Sequence, residues 1–285
     1  MVAANENVRG LAREVEAELA VAGLASPAAE ARVLVSHACA FPAREFAGNL
    51  GSSVPAGALE SSREFVRRRR EREPLQLIIG TAVFLDLELE VEAGVFIPRP
   101  ETEGLAVIAE GLIKDVPAPV VIDLCAGAGP LAVYLARKRP DARVYAVEAD
   151  AAAAALIRRN AARYDADVAV TEGDVLGAAL KRRFPPADLI AANPPYIKSS
   201  EIPALPPEVR DWDPRLALDG GGDGLAYYPA LADWASSGLK RGGVIAMEIG
   251  EDLAEDVRET FAGVGEAVVE KDLAGRNRYL WTRKG

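Results

Sequence analysis

Cysteine occurs only twice in the 285 residues, at Cys39 and Cys125, and histidine only once, at His37. Two cysteines in separate predicted elements exclude a disulfide framework and a cysteine-rich zinc site, and no metal is expected. A lone histidine in a helical segment reads as a core or surface residue and gives little support to histidine-based catalysis. Long apolar runs are missing as well, each being interrupted well short of the roughly 20 residues that span a bilayer. The first thirty residues mix charged and apolar positions and lack the apolar centre of a secretory signal. A reducing cytoplasm is the expected compartment, with no membrane partner. Net positive charge is also absent: 33 Lys and Arg stand against 43 Asp and Glu, a formal charge of −10. That balance disfavours gripping nucleic acid through the whole surface.

What is present is enough for a large domain and a small one. Half of the residues are hydrophobic, so a sizeable core is available. Residues 1–73 hold ten basic and ten acidic side chains, which leaves the whole acidic excess to the remainder. Within them Arg67–Arg70 and Arg72 form a short basic run, read as a solvated helix end ahead of a contact with RNA or an acidic partner.

Residues 1–73 are expected to form an N-terminal helical domain for substrate recognition. Apolar residues recur at helical spacing from residue 5 on, in Val8, Leu11, Val15 and Leu19 and again in Ala31, Leu34, Val35 and Ala38. Ser26-Pro27 with Glu30 is a helix start, and four or five helices are predicted. Residues 74–97 then alternate apolar and polar positions, as in Phe84–Val91, with a turn at Gly80; a β-hairpin linker is predicted there. A catalytic domain is expected over 98–285. After a helix at Glu101–Lys114, strands and helices alternate from Pro119: strands at Val120–Leu124, Arg143–Val147, Val168–Val170, Ala187–Ala192 and Gly243–Ile249, helices at Leu131–Lys138 and Ala151–Arg163. Such alternation predicts an α/β fold with a mostly parallel sheet covered on both faces. Glu266–Lys271 and Arg278–Arg283 read as a closing antiparallel pair.

The strand ending at Ala192 runs into Asn193-Pro194-Pro195-Tyr196, at the sheet end where open α/β folds bind ligands. An amide oxygen, a proline-flanked carbonyl and an aromatic face can together hold a planar –NH2, accepting its hydrogens while the ring stacks on it. A second site follows Val120–Leu124. The turn Cys125-Ala126-Gly127-Ala128-Gly129 lets the backbone approach a ligand at a helix amino end, Asp123 lies just before it, and Glu148 ends the next strand. A carboxylate there can accept both hydroxyls of a ribose. Asp174, one strand on, lies where an adenine amino group would. These residues suit NAD and S-adenosylmethionine equally; the –NH2 loop favours the methyl donor, because hydride transfer has no use for it.

At these residues the chain resembles the protein-(glutamine-N5) methyltransferases of the HemK/PrmC type. Matching segments are Phe96-Ile-Pro-Arg-Pro-Glu-Thr-Glu103, the Asp123 turn, Asn193–Tyr196, Asp213–Gly220, Asp223-Gly-Leu225, Glu248-Ile-Gly250 and Asp272–Arg276. The resemblance implies a class I, Rossmann-like fold with a seven-stranded sheet, and S-adenosylmethionine as methyl donor, leaving as S-adenosylhomocysteine. It also implies, as acceptor, the glutamine of the Gly-Gly-Gln loop of peptide-chain release factors, with an effect on translation termination. Asp123, Cys125, Ala126, Gly127, Ala128, Gly129, Glu148, Asp174, Val175 and Asn193 would border the donor. Asn193, Pro194, Pro195 and Tyr196 would hold the amide, and Phe96, Pro98 and Glu101 would line the place where the two meet. Two departures stand out: Cys125 replaces a usual first glycine, and Leu253 replaces a common glutamine. A monomer without stable nucleic-acid binding is expected. The competing readings are a ribosomal-protein glutamine methyltransferase, a nucleic-acid amino methyltransferase of the N6-adenine type, and a non-enzymatic binding module that kept the fold.

Overall fold

A computed structural model describes residues 7–177 and 179–285. The chain divides into two compact units, the first ending at Gly80 and the second running from Thr81 to Gly285. The start of the expected bundle, at residues 5 and 6, lies outside the described residues.

Among its described residues the first unit contains five α-helices: α1 Val8–Val21, α2 Pro27–Ala38, α3 Phe46–Asn49, α4 Ala58–Arg70 and α5 Leu75–Ile79. The Asn7 side chain caps α1 by accepting the Gly10 N–H at 3.0 Å, which satisfies a donor that the helix start leaves unpaired. Val8, Leu11, Val15 and Leu19 line one buried stripe of α1 and pack with Leu34, Val35 and Val66. The basic run is largely occupied within this unit. Arg67 pairs with Glu64 and Glu71, Arg68 pairs with Glu73, and buried Arg69 pairs with Glu30. His37 lies exposed on α2 beside the Phe65 ring.

The segment 74–97 departs from the expected hairpin linker. Leu75–Ile79 is helical and buries Ile78 in the first unit's core. Gly80, at φ 75°, ends that helix. The period-two pattern begins only at Thr81, giving strands β1 Thr81–Phe84 and β2 Leu87–Glu90. A run of five residues is too short for its apolar spacing to distinguish a buried helix from a strand.

In the second unit the chain proceeds through α6 Pro100–Leu112, β3 Val120–Leu124, α7 Pro130–Lys138, β4 Arg143–Glu148, α8 Ala151–Arg163, β5 Val168–Glu172 and β6 Ala187–Ala192. Two short helices, α9 Pro207–Arg210 and α10 Arg215–Leu218, precede α11 Tyr228–Gly238, β7 Leu239–Glu248, α12 Ala254–Thr260, β8 Ala267–Lys271 and β9 Asn277–Arg283. The seven strands β3–β9 form one sheet in the order β5-β4-β3-β6-β7-β9-β8. The first five are parallel, and β9 runs antiparallel to both β7 and β8.

The parallel strands are apolar because both faces are covered. On β3, Val121 packs with Leu105, Leu131 and Ile157 of α6, α7 and α8. Its neighbours Val120, Ile122 and Leu124 pack on the opposite face with Leu231 and Trp234 of α11 and Val257 of α12. Strand order reverses between β3 and β6, so a crevice opens at their carboxyl ends. The hairpin docks on α8: the buried Asn160 amide accepts the Glu90 N–H at 2.7 Å and donates to the Glu90 and Ala128 carbonyls.

Candidate active site

The crevice holds a cavity of about 350 Å³, within the size range of small-molecule sites. Register explains why the two sequence motifs meet there. Leu124 pairs with Ala192 across β3 and β6, so the turn starting at Cys125 and the loop starting at Asn193 leave adjacent strands side by side. Glu148 pairs with Glu172 across β4 and β5, which brings the β4 acid level with Asp174 and Val175.

Of the residues picked out from the sequence, Phe96, Cys125, Gly127, Glu148, Asp174, Val175 and Asn193–Tyr196 line this cavity. A smaller cavity of about 30 Å³ adjoins through Phe96, Cys125, Gly127 and Asn193, and is bordered also by Pro98, Asp123, Ala126 and Ala128. Two residues line neither. Gly129 caps α7, where Ile157 fills the space a side chain would need. Glu101 is exposed on the first turn of α6; its backbone carbonyl accepts the Tyr279 hydroxyl at 2.7 Å, and its charge adds to the upward shifts of Tyr196 and Glu248. Successive helical residues point about 100° apart, and it is buried Thr102 that faces inward.

On the donor side, the Glu148 carboxylate accepts the Gly127 N–H at 2.7 Å and the Asp150 N–H at 2.9 Å, one on each oxygen. Each oxygen keeps a lone pair for a ligand hydroxyl. Burial pushes the Glu148 carboxyl above its usual range, against the lowering effect of those N–H groups. Gly127 takes φ 56°, and a Cβ there would meet no protein atom within 4 Å, so the missing side chain leaves cavity space. Trp234 Nε1 donates to the Val175 carbonyl at 3.0 Å and fixes that wall from beneath. Asp174 turns inward on its own backbone, accepting the Leu176 N–H at 2.9 Å. Asp123 is buried; its Oδ2 accepts the Ala132 N–H at 3.1 Å while Oδ1 has no partner. Burial raises its pKa to about 8. An acid-lined, partly apolar pocket with a ribose-competent carboxylate and an open backbone turn fits an adenosyl sulfonium donor.

Cys125 adopts φ 60°, the left-handed region. A glycine would sit there without steric cost, so the departure seen in the sequence is a site of backbone strain.

On the acceptor side, the Asn193 Nδ2 donates to Thr102 Oγ1 at 3.0 Å. The Thr102 hydroxyl donates to Glu248 Oε2 at 2.8 Å, and the Tyr196 hydroxyl donates to Glu248 Oε1 at 2.9 Å. Arg278 Nη1 donates to the Tyr196 oxygen at 3.3 Å. Burial raises the Glu248 carboxyl while its hydrogen bonds and Arg278 oppose the shift. Burial also pushes the Tyr196 phenol far up, with the Glu248 charge next in effect. The loop is buttressed by the block after α9: Ile197 donates to the Leu218 carbonyl at 3.0 Å and accepts from Gly220 N–H at 2.8 Å. A Cβ on Gly220 would lie 2.7 Å from the Tyr196 Cα, so only glycine permits this approach. Arg99 pairs with buried Asp213, tying the Phe96–Glu103 segment to the same block. Leu253 packs in the apolar cluster with Tyr228, Met247 and Ile249.

Sequence reasoning did not select Thr102, Glu248 or Arg278 as site residues. A signal existed for Glu248: it is a carboxylate closing the apolar run Val244–Met247. The mostly parallel seven-stranded sheet, with a glycine-containing turn and the Glu148 carboxylate at its crevice, defines a class I methyltransferase. Residues 86–204 match the methyltransferase small domain, and residues 11–80 match the PrmC N-terminal domain. The release factor glutamine methyltransferase of Corynebacterium glutamicum is 37% identical, covering 95% of this chain and 97% of that one. Its counterpart from Geobacter sulfurreducens is 40% identical, covering 80% and 79%. A solved T. thermophilus 16S rRNA N2 G1207 methyltransferase, in complex with AdoMet and guanosine, shares the fold. Its TM-score is 0.52 at 22% identity, over 72% of this chain and 50% of that one. The chain belongs to the release factor glutamine methyltransferase family.

Proposed function

We propose that the protein methylates the side-chain amide nitrogen, N5, of the glutamine in the Gly-Gly-Gln loop of peptide-chain release factors, and thereby tunes translation termination. The observation that carries this reading is the orientation of Asn193. Its –NH2 is already engaged by Thr102, which leaves Oδ1 to accept a hydrogen from a substrate amide.

S-adenosylmethionine, when bound, supplies a methyl group on a positively charged sulfur and leaves as S-adenosylhomocysteine. Glu148 would hold its ribose hydroxyls, with Asp123 and the turn from Cys125 to Gly129 around its methionine end and Asp174 and Val175 bordering the adenine. An amide nitrogen is a weak nucleophile because its lone pair is delocalised into the carbonyl. Asn193 Oδ1 and the Pro194 carbonyl would accept its two hydrogens, which favours pyramidalisation and localises the lone pair; once the methyl has transferred, one of those hydrogens leaves the nitrogen as a proton to solvent. Pro194 and Pro195 stiffen the loop and remove competing N–H donors. Tyr196 would press on the amide plane, and Phe96 and Pro98 would close the side of the pocket. The work is positioning and electrostatic complementarity, with no covalent intermediate on the protein.

The first unit would select the release factor. Among the described residues no helix is long and apolar enough to cross a membrane, and the arginines of α4 are largely paired with carboxylates. We read the protein as a cytoplasmic monomer, and the pairing of these arginines supports a protein acceptor without stable nucleic-acid binding. The test is incubation with labelled S-adenosylmethionine and purified release factors, with Gln→Ala factors as controls. Label on the motif glutamine is expected. Label on a ribosomal protein or on DNA, and none on that glutamine, overturns the substrate assignment.

A further inference from the structure

We propose that Thr102 and Glu248 are positioning residues that fix which way the Asn193 side-chain amide faces, and that Glu248 locks Tyr196 at the same time. The proposal rests on the amide-binding reading of Asn193 given above and follows from counting hydrogens.

Arg278 can only donate, and its Nη1 reaches the Tyr196 oxygen at 3.3 Å. Tyr196 therefore accepts there and spends its single hydrogen on Glu248 Oε1, 2.9 Å away. The second carboxylate oxygen, Oε2, takes the single hydrogen of Thr102 at 2.8 Å. With its hydrogen committed, the Thr102 oxygen can only accept from the next group, and the group 3.0 Å away is Asn193. Of the two ends of that amide, only the –NH2 can donate. The opposite end, Oδ1, is then the one left for a ligand. An amide in the reverse orientation would set its oxygen against the Thr102 oxygen and present –NH2 to the substrate –NH2, a donor facing a donor.

The relay is built from three separate elements. Thr102 comes from α6, Glu248 from the end of β7 and Tyr196 from the loop after β6, and Thr102 and Glu248 are 1% and 2% exposed. Bulk water therefore cannot stand in for either partner. Ala192 pairs with Met247 across β6 and β7, so the acid one residue on is level with Asn193.

The test compares Thr102→Val, Thr102→Ser and Asn193→Ala with the wild-type enzyme on a release factor, measuring kcat, KM and donor affinity. Valine keeps the shape of threonine and removes the acceptor, whereas serine keeps the hydroxyl. Thr102→Val is expected to lower kcat by roughly 10–100-fold, the scale of a misplaced reacting group, with donor affinity unchanged. Thr102→Ser is expected to recover most of the lost rate. Thr102→Val at wild-type kcat, or Thr102→Ser as slow as Thr102→Val, overturns the relay. Asn193→Ala separates the two levels: if it retains near wild-type rate, the amide cage itself is wrong, whereas a dead Asn193→Ala beside a fully active Thr102→Val rejects only the positioning role.

Discussion

The Glu148 carboxylate accepts the Gly127 backbone N–H at 2.7 Å, so the acid that ends β4 and the turn that follows β3 form one hydrogen-bonded unit. Glu148 thus holds the turn, and in the proposed reading its remaining lone pairs are the ones offered to the methyl donor.

Glu148→Ala is expected to weaken S-adenosylmethionine binding by at least about 2 kcal/mol, roughly thirtyfold in Kd, since hydrogen bonds to a charged acceptor are lost. Isothermal titration measures this directly. Binding within about threefold of wild type would show that the carboxylate is not a donor ligand.

Replacing Cys125 by glycine or alanine removes the thiol in both cases, but only alanine retains a Cβ at φ 60°. Cys125→Gly is expected to be the more stable of the pair by about 1 kcal/mol, the scale of the left-handed penalty. Urea unfolding of the two variants decides it, and the reverse order would refute strain at this position.

Asp123 gives a pH signature. Burial lifts its folded pKa to about 8, far above the ordinary aspartate value of 3.8, so the folded state holds a proton that the unfolded state releases. Stability contributed by the neutral form is present below the unfolded pKa and declines as pH rises through the folded one. Asp123→Asn cannot titrate, so its stability relative to wild type should rise between about pH 5.5 and pH 8. Denaturation midpoints across that range would be compared; a constant difference would place the carboxyl's pKa near its ordinary value.

Gly220→Ala places a methyl 2.7 Å from the Tyr196 Cα. Backbone must move to relieve it, at about 1–3 kcal/mol. Methyl transfer should fall sharply while donor affinity persists, because Gly220 touches the acceptor loop and does not line the donor cavity. An unaltered kcat would show that the buttress is dispensable.

The alternation of strand and helix after Pro119 was legible because each parallel strand is an apolar run between helical patterns. Val120–Leu124, Ala151–Arg163 and Ala187–Ala192 carry the same bounds in sequence and structure. The closing pair β8 and β9 was legible from its turn at Gly275. Other parts were not. Residues 197–242 carry α9, α10 and α11 among loops rich in proline and glycine, and no strong period announces them. The relay through Thr102 and Glu248 joins residues 146 positions apart, and that contact depends on sheet register rather than on local spacing. Glu101 and Thr102 are adjacent in the same motif; only the helix's rotation decides which of them turns inward.

Asn160 bonds both edges of the Glu90 backbone and the Ala128 carbonyl with one amide. The hairpin is therefore part of the frame of the donor turn, although it contributes no side chain to the cavity. Mechanical slack introduced at β2 would be felt at Ala128, one residue from Gly127. The hairpin acts as a brace whose condition can be read out remotely, through the affinity for the methyl donor.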